Sequence, residues 1–312
     1  MMHYMNKILP FILLVSLAAC EGNKQQPAKA EGKKEAVTSI AVVFPDLPQS
    51  MEFAGITINL QDEDLRERLD REVLMTAYYQ SAWVGCLKRA NRYFPEIERI
   101  LKEEGIPDDF KYLAIIESNL QQAISPVGAQ GFWQFMPATA KLYDLEMNPE
   151  IDERLNIEKS THAACQYLKD AHATLNDWVM TTAAYNRGVG GVLEDMKWQG
   201  TEHYFDTYQN SETGRYVFRL LATKLIYENP EAYGFYPSRM ELYEPFHIQK
   251  IVVEESIPNL ADWANDQGFN IKILRKLNPW LKTTKLTIKG GRKFTLVLPA
   301  ASENLKPYSA YK

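Results

Sequence analysis

The stretch Gly105 to Pro137, GIPDDFKYLAIIESNLQQAISPVGAQGFWQFMP, constrains this chain more than any other. Pro107 stands where a missing N–H does no harm, Asp108 and Asp109 suit the positive end of a helix, and a periodic apolar run follows. At about 3.6 residues per turn, Phe110, Leu113, Ala114 and Glu117 share a face, and Tyr112, Ile115 and Ile116 cover most of the rest. The spacing predicts a helix buried nearly all round, with Glu117 carried into apolar surroundings. Desolvation disfavours the charged carboxylate and raises its pKa toward neutrality, as a general acid requires. The alternatives for Glu117 are a structural salt bridge or a frayed helix end open to water.

The second half of the stretch is a loop, Ser125 to Gly131, whose two glycines (Gly128 and Gly131) let backbone approach a ligand closely. Phe132, Trp133, Gln134 and Met136 follow as an aromatic and amide wall, and Pro137 starts another helix. An acid on a rigid helix, a close-approach loop and such a wall suit a polysaccharide cleft.

The pattern ES at 117–118, SPVGAQGFWQFMP at 125–137 and TA at 139–140 resembles the catalytic motif of lytic transglycosylases with a lysozyme-like fold, particularly the membrane-bound lytic murein transglycosylase D type. The resemblance extends through AAYNRGVGGV (183–192) and SETGRYV (211–217). It implies that Glu117 is catalytic, with Ser125, Gly128, Gln134, Met136, Tyr185, Asn186, Glu212 and Tyr216 as substrate-binding residues. The interval from Glu117 to Ser125 is a residue shorter than in many relatives. By resemblance the Tyr185 hydroxyl lies beside the catalytic carboxyl, holding it or the reacting sugar; a phenol with a pKa of about 10 stays a neutral donor there. The residues alone allow a helix-end tyrosine bonding a neighbouring carbonyl. Asn186 is expected to bond backbone near the cleft. Glu212 and Tyr216 are open between substrate contact and loop anchoring.

Glycosidases usually use two carboxylates, about 5–5.5 Å apart for retention and about 6.5–9.5 Å for inversion. The matched motifs offer no second acid close to Glu117, and Asp144, Asp152 and Asp177 read as caps or ion pairs. This fits the substrate-assisted route the resemblance implies. Glu117 protonates the MurNAc–GlcNAc glycosidic oxygen, the acetamido oxygen stabilises C1, and Glu117 then deprotonates the 6-hydroxyl to give 1,6-anhydro-MurNAc. No metal or organic cofactor is implied. The rival readings are a lysozyme-type muramidase with a second carboxylate, and a non-catalytic peptidoglycan-binding lipoprotein.

The N-terminus reads as an address. Lys7, an apolar run from Ile8 to Ala19 and the closing Leu17-Ala18-Ala19-Cys20 make a targeting segment too short to span a membrane. The small residues before Cys20 resemble a bacterial lipobox, with Cys20 lipidated; an ordinary signal peptide with a stray cysteine is the alternative. The expected location is an outer membrane, facing the periplasm. A net charge of −5 without a basic stripe argues against nucleic acid, so the expected partners are glycan strands and a membrane. Cys86 and Cys165 either pair in an oxidising compartment or stay as buried thiols. His162, Cys165 and His172 make a weak metal pattern, lacking a fourth ligand at matching spacing.

The expected order is a signal peptide (1–19), a Lys/Glu/Gln/Ala/Pro tether (20–50), a helical bracing segment (51–100), a catalytic domain (101–236) and a small module (246–300). The bracing segment predicts a short strand at Ile56 to Leu60, helices from Asp62 and from Ala82 to Phe94, and a third starting at Pro95. Tyr78, Tyr79 and Trp83 read as core or interface packing, with sugar stacking as the alternative. Arg154 reads as an ion-pairing strut. Tyr233 to Pro245 reads as an ordered linker. The strand–helix–helix–strand pattern beyond it, with LNPWL and LVLP, resembles a LysM peptidoglycan-binding module. Glu254-Glu255-Ser256 there replaces the usual glycine-containing turn, leaving open a glycan binder or a packing appendage. The fold class is mainly α, a lysozyme-like helical domain with a small C-terminal α/β module.

Overall fold

A computed structural model describes residues 46–208, 212–301, 305 and 307–308. The expected signal segment, Cys20 and nearly all of the expected tether lie outside the described residues. The chain begins with an antiparallel ribbon, β1 (Ser50–Phe53) and β2 (Ile56–Asn59), in register Met51 to Ile58. Ala54 and Gly55 both take positive φ in the turn, the backbone that matches strand twist in tight hairpins. Only β2 carries a strand pattern in the sequence; Met51 and Phe53 of β1 are nevertheless buried, with Phe53 against Phe110.

Helix α1 (Glu63–Tyr78) is capped by the Asp62 carboxylate, which accepts from the Leu65 N–H at 2.9 Å. Helix α2 (Gln80–Glu103) departs from expectation, because it runs straight through Pro95. An interior proline costs about 3 kcal/mol through its lost N–H and its ring clash. Trp83, Cys86, Leu87, Ala90, Phe94, Ile97, Ile100 and Leu101 are all buried along one continuous stripe, and that burial outweighs the cost. Tyr78 and Tyr79 also depart from expectation: they are exposed at the α1–α2 elbow, and only Trp83 is core. A two-helix elbow with so little chain turns its junction residues outward.

A 3₁₀ turn at Asp108–Phe110 leads into α3 (Lys111–Ser118), followed after the loop by α4 (Pro137–Leu142). Beyond it come α5 (Ile157–Leu175), α6 (Trp178–Arg187), α7 (Val189–Gln199) and α8 (Thr213–Glu228). Asn156 and Asp177 cap α5 and α6, and Gly188 ends α6 at φ 77°. Helix α8 packs along α1, α3 and α6, and so stands across from the C-terminal end of α3.

The linker is ordered against α2. Tyr243 N–H donates to the Lys88 carbonyl, and Arg92 Nε donates to the Glu244 carbonyl at 2.8 Å. The module then forms β3 (Ile248–Val253), α9 (Leu260–Asp266), α10 (Ile271–Leu277) and β4 (Phe294–Pro299), with β3 and β4 antiparallel. The mainly α chain with a small α/β module thus has the expected architecture. The module has its own core, built on Leu260, Ala264, Leu274, Trp280, Leu296 and Leu298, and Ile151 of the helical part inserts into it.

Cys86 and Cys165 are free buried thiols, each pushed up to about 12 by desolvation. His162 Nδ1 lies 2.7 Å from a Glu104 carboxylate oxygen, and His172 stacks on Trp178. Both histidines are thereby held by contacts within the protein. Among the described residues no group of three or more His, Cys, Asp or Glu side chains is placed to hold a metal ion.

Candidate active site

Helix α3 is short and almost wholly enclosed. Tyr112, Leu113, Ala114, Ile115 and Ser118 are buried, leaving Ile116 and Glu117 partly exposed on its last turn. Lys111 is buried too, with its ammonium bonded to Glu98 and Asp108. The helix ends in two left-handed residues, Asn119 (φ 53°) and Leu120 (φ 55°). A left-handed leucine is strained; burial of its side chain holds it there. The Asn119 and Leu120 N–H groups return to the Ile115 and Ala114 carbonyls, and the Ser118 hydroxyl bonds both Ala114 and Phe132 carbonyls. Glu117 therefore sits on a stop fixed from both sides.

Glu117 itself accepts a hydrogen bond from the Tyr216 hydroxyl. Its pKa is raised, first by desolvation, and also by the negative charge of Glu212. The Tyr216 hydrogen bond and the Arg219 guanidinium pull the other way without reversing the direction. Glu212 is thus a second acid within electrostatic reach of Glu117, contrary to the expectation from the motifs. It stands at the N-cap position just before α8, and only the packing of α8 against α3 brings it there.

Tyr185 takes the carbonyl-bonding role that the residues alone allowed, not the one the resemblance implied. Tyr185 feels the charge of Glu117, but its hydroxyl donates to the Trp133 carbonyl at 2.9 Å; the phenol that bonds the carboxyl is Tyr216. Both phenols are pushed well up, by burial and then by the Glu117 charge, and remain proton donors. Asn186 accepts from the Thr213 hydroxyl at 3.1 Å, tying the end of α6 to the start of α8. Arg219, on the Tyr216 face of α8, donates from Nη2 to the Ile116 carbonyl at 2.8 Å. Sequence reading missed Arg219. Glu212, Tyr216 and Arg219 are spaced four and three residues apart, and that helical spacing was the available signal.

The loop after α3 is shaped by its own backbone. Ser125 Oγ accepts from the Ala129 N–H at 2.9 Å, while Gly128 N–H returns to the Ser125 carbonyl at 3.0 Å. Gly128 has φ 90° and open space where a Cβ would stand. Gly131 does not face a ligand, contrary to expectation. A Cβ there would lie 2.1 Å from the Arg154 carbonyl oxygen, so the close approach is to protein backbone. The aromatic wall is also corrected, because Phe132 and Trp133 are buried and the Trp133 indole donates to Thr161. Rings of that size gain more from core burial than from lining a wet cleft. Gln134, at φ 49°, bonds the Ala123 and Gly131 carbonyls, and Met136 is left exposed.

Arg154 does more than pair. Its guanidinium forks onto the buried Asp152 carboxylate through Nε (2.9 Å) and Nη2 (2.8 Å), while Nη1 donates to the Gly128 (2.7 Å) and Phe135 (3.0 Å) carbonyls. A planar fork with five donors can make these bonds together, and an ammonium cannot.

The family description "Transglycosylase SLT domain" matches residues 95–210, and "Soluble lytic transglycosylase C-terminal LysM-like domain" matches residues 249–302. Curated proteins called membrane-bound lytic murein transglycosylase D, from two strains of Escherichia coli, are 27% identical over 307 residues, covering 89% of this chain. The chain spans 66% of the length of those relatives. Among solved structures, the 70 kDa soluble lytic transglycosylase of E. coli is 21% identical over 55% of this chain and 33% of its own, with a TM-score of 0.41. An inactive mutant of lytic transglycosylase Slt from Pseudomonas aeruginosa is 21% identical over 54% of this chain and 33% of its own, with a TM-score of 0.36.

Proposed function

We propose that this chain, which carries a transglycosylase SLT domain followed by a LysM-like module, is a peptidoglycan lytic transglycosylase. The observation that carries the reading is Glu117, whose carboxyl is raised in pKa at the enclosed end of α3 and bonded by a buried tyrosine. In this reading protonated Glu117 donates to the glycosidic oxygen between MurNAc and GlcNAc. The bond to the leaving GlcNAc breaks, and the neighbouring acetamido oxygen stabilises C1. The Glu117 carboxylate, held by Tyr216 and faced by Arg219, then takes the proton of the same sugar's 6-hydroxyl, whose oxygen closes on C1. One residue acts as acid and then as base, and no water is consumed. Ser125, Gly128, Gln134, Met136 and Glu212 are assigned to the sugar path, with Tyr185 and Asn186 holding the wall behind it.

Glu212 supports one rival, a hydrolase in which that carboxylate activates water. The products separate the two: 1,6-anhydro ends are one water lighter by mass than hydrolysed reducing ends. Digestion of sacculi is expected to release anhydro-muropeptides. Removing the proton donor should cost more than the roughly 100- to 10,000-fold typical of general acid–base catalysis, because both half-steps use it. Glu117→Gln is therefore expected to fold but release none, and wild-type turnover by that variant would end the assignment.

The address belongs to the same reading. Among the described residues no helix is long and apolar enough to cross a membrane. A lipid on Cys20 accounts for attachment, with the enzyme on the outer membrane facing the periplasm and the tether spacing it from the surface. Palmitate labelling of the expressed protein is expected, and its persistence in Cys20→Ala would refute the anchor.

A further inference from the structure

A cavity of about 770 Å³ lies between the first helices of the catalytic part and the C-terminal module, a size typical of ligand sites. Arg92 of α2, Phe246 at the start of the module, Arg275 and Lys276 of α10, Trp280 and the loop residue Gln122 all line it. Its charges are unevenly matched. Lys159 and Lys250, also on its wall, pair with Glu153 and Glu158. Arg92, Arg275 and Lys276 have no carboxylate partner among the described residues. The Arg92 guanidinium and the Lys276 ammonium stand over the same Phe246 ring, at 4.0 and 5.3 Å from its centre. Partial desolvation, together with the nearby Arg92 and Lys272, holds the Lys276 ammonium below its ordinary pKa. Like charges gathered beside aromatic walls are relieved by an anion.

The Arg275 guanidinium is fixed at the wall by Nη2, which donates to the Thr283 carbonyl at 2.7 Å. A peptide supplies carboxylates for these cations, and the Phe246 and Trp280 rings on the wall offer apolar surface to its side chains.

We propose that this cavity binds the carboxylate-bearing peptide stem of peptidoglycan, with Arg92, Arg275 and Lys276 meeting its carboxylates. The identity of the peptide rests on the peptidoglycan reading above. Gln122, on the cavity wall, donates through Nε2 to the Leu155 carbonyl at 3.0 Å, beside Arg154, so a stem seated here lies against the support of the catalytic loop.

The test is calorimetric titration of the full chain with the free stem tetrapeptide, which needs no turnover. Saturable binding is expected. Lys276→Glu, at an exposed position where charge reversal removes like-charge repulsion, is expected to weaken it at least about tenfold. Capping the peptide carboxyls as amides is expected to do the same, and Glu117→Gln is expected to leave it unchanged. No saturable binding, binding indifferent to Lys276→Glu, or equal competition by inorganic phosphate would overturn the proposal. Loss of binding in Glu117→Gln would do so as well, because it would put the peptide in the catalytic cleft. Each of these failures leaves the product-mass test untouched.

Discussion

Glu117 stands under opposed influences. Burial and the Glu212 charge disfavour its ionised form, while the Tyr216 hydrogen bond and Arg219 favour it, with a net rise. A raised carboxyl keeps its proton to higher pH, so cleavage should fall on the alkaline side as Glu117 ionises. Tyr216→Phe removes a lowering influence, so that alkaline limb is expected to move to higher pH. Its kcat should fall about tenfold or more, since a hydrogen bond to a charged group is worth about 1.5–3 kcal/mol. The pH profile of muropeptide release measures both, and a limb moved to lower pH would contradict the arrangement. Glu117 was legible in the sequence because burial of an eight-residue helix follows from its own apolar spacing. Its phenol partner was not, because Tyr216 lies 99 residues away and the motif holds two candidate tyrosines.

At the scale of elements, the loop after α3 is held by packing rather than by its glycines alone. Gly131 meets the Arg154 backbone so closely that Gly131→Ala must displace one of two fixed segments, at a position already at φ 84°. The loss expected is roughly 2–5 kcal/mol, combining left-handed strain with overpacking. Chemical denaturation measures it; a variant as stable as wild type would show that the loop is free to move. The sequence marked this glycine for close approach but not for what it approaches, since Arg154 is 23 residues further along. Helix α2 teaches the same point. A proline is a local stop signal, yet a buried stripe on both sides of Pro95 carried the helix through.

At the scale of the whole molecule, the backbone joint between the module and the helical part runs along one strip of chain. Ile151 bridges to Leu281, the Asp152 N–H donates to the Trp280 carbonyl at 2.9 Å, and the Lys282 N–H donates to the Glu150 carbonyl at 2.8 Å. The Glu150 carboxylate adds bonds to the Thr287 N–H (2.7 Å) and hydroxyl (2.9 Å). Two residues on, Asp152 grips Arg154, which holds the loop. Glu150→Ala is expected to weaken this docking by about 1–3 kcal/mol, read as faster amide exchange at 146–152 and 280–288. Unchanged exchange at those positions would show that the carboxylate contributes nothing to the joint.

The sequence by itself determined the mainly helical class, the buried helix that carries Glu117 and the strand–helix–helix–strand order of the module, because each depends on neighbours within a few turns of chain. The tertiary structure alone decided that Tyr216 rather than Tyr185 bonds Glu117, that Glu212 and Arg219 shape its field, and that both cysteines stay free. Those outcomes depend on which distant helices pack together, and contacts across such separations leave no local period to read.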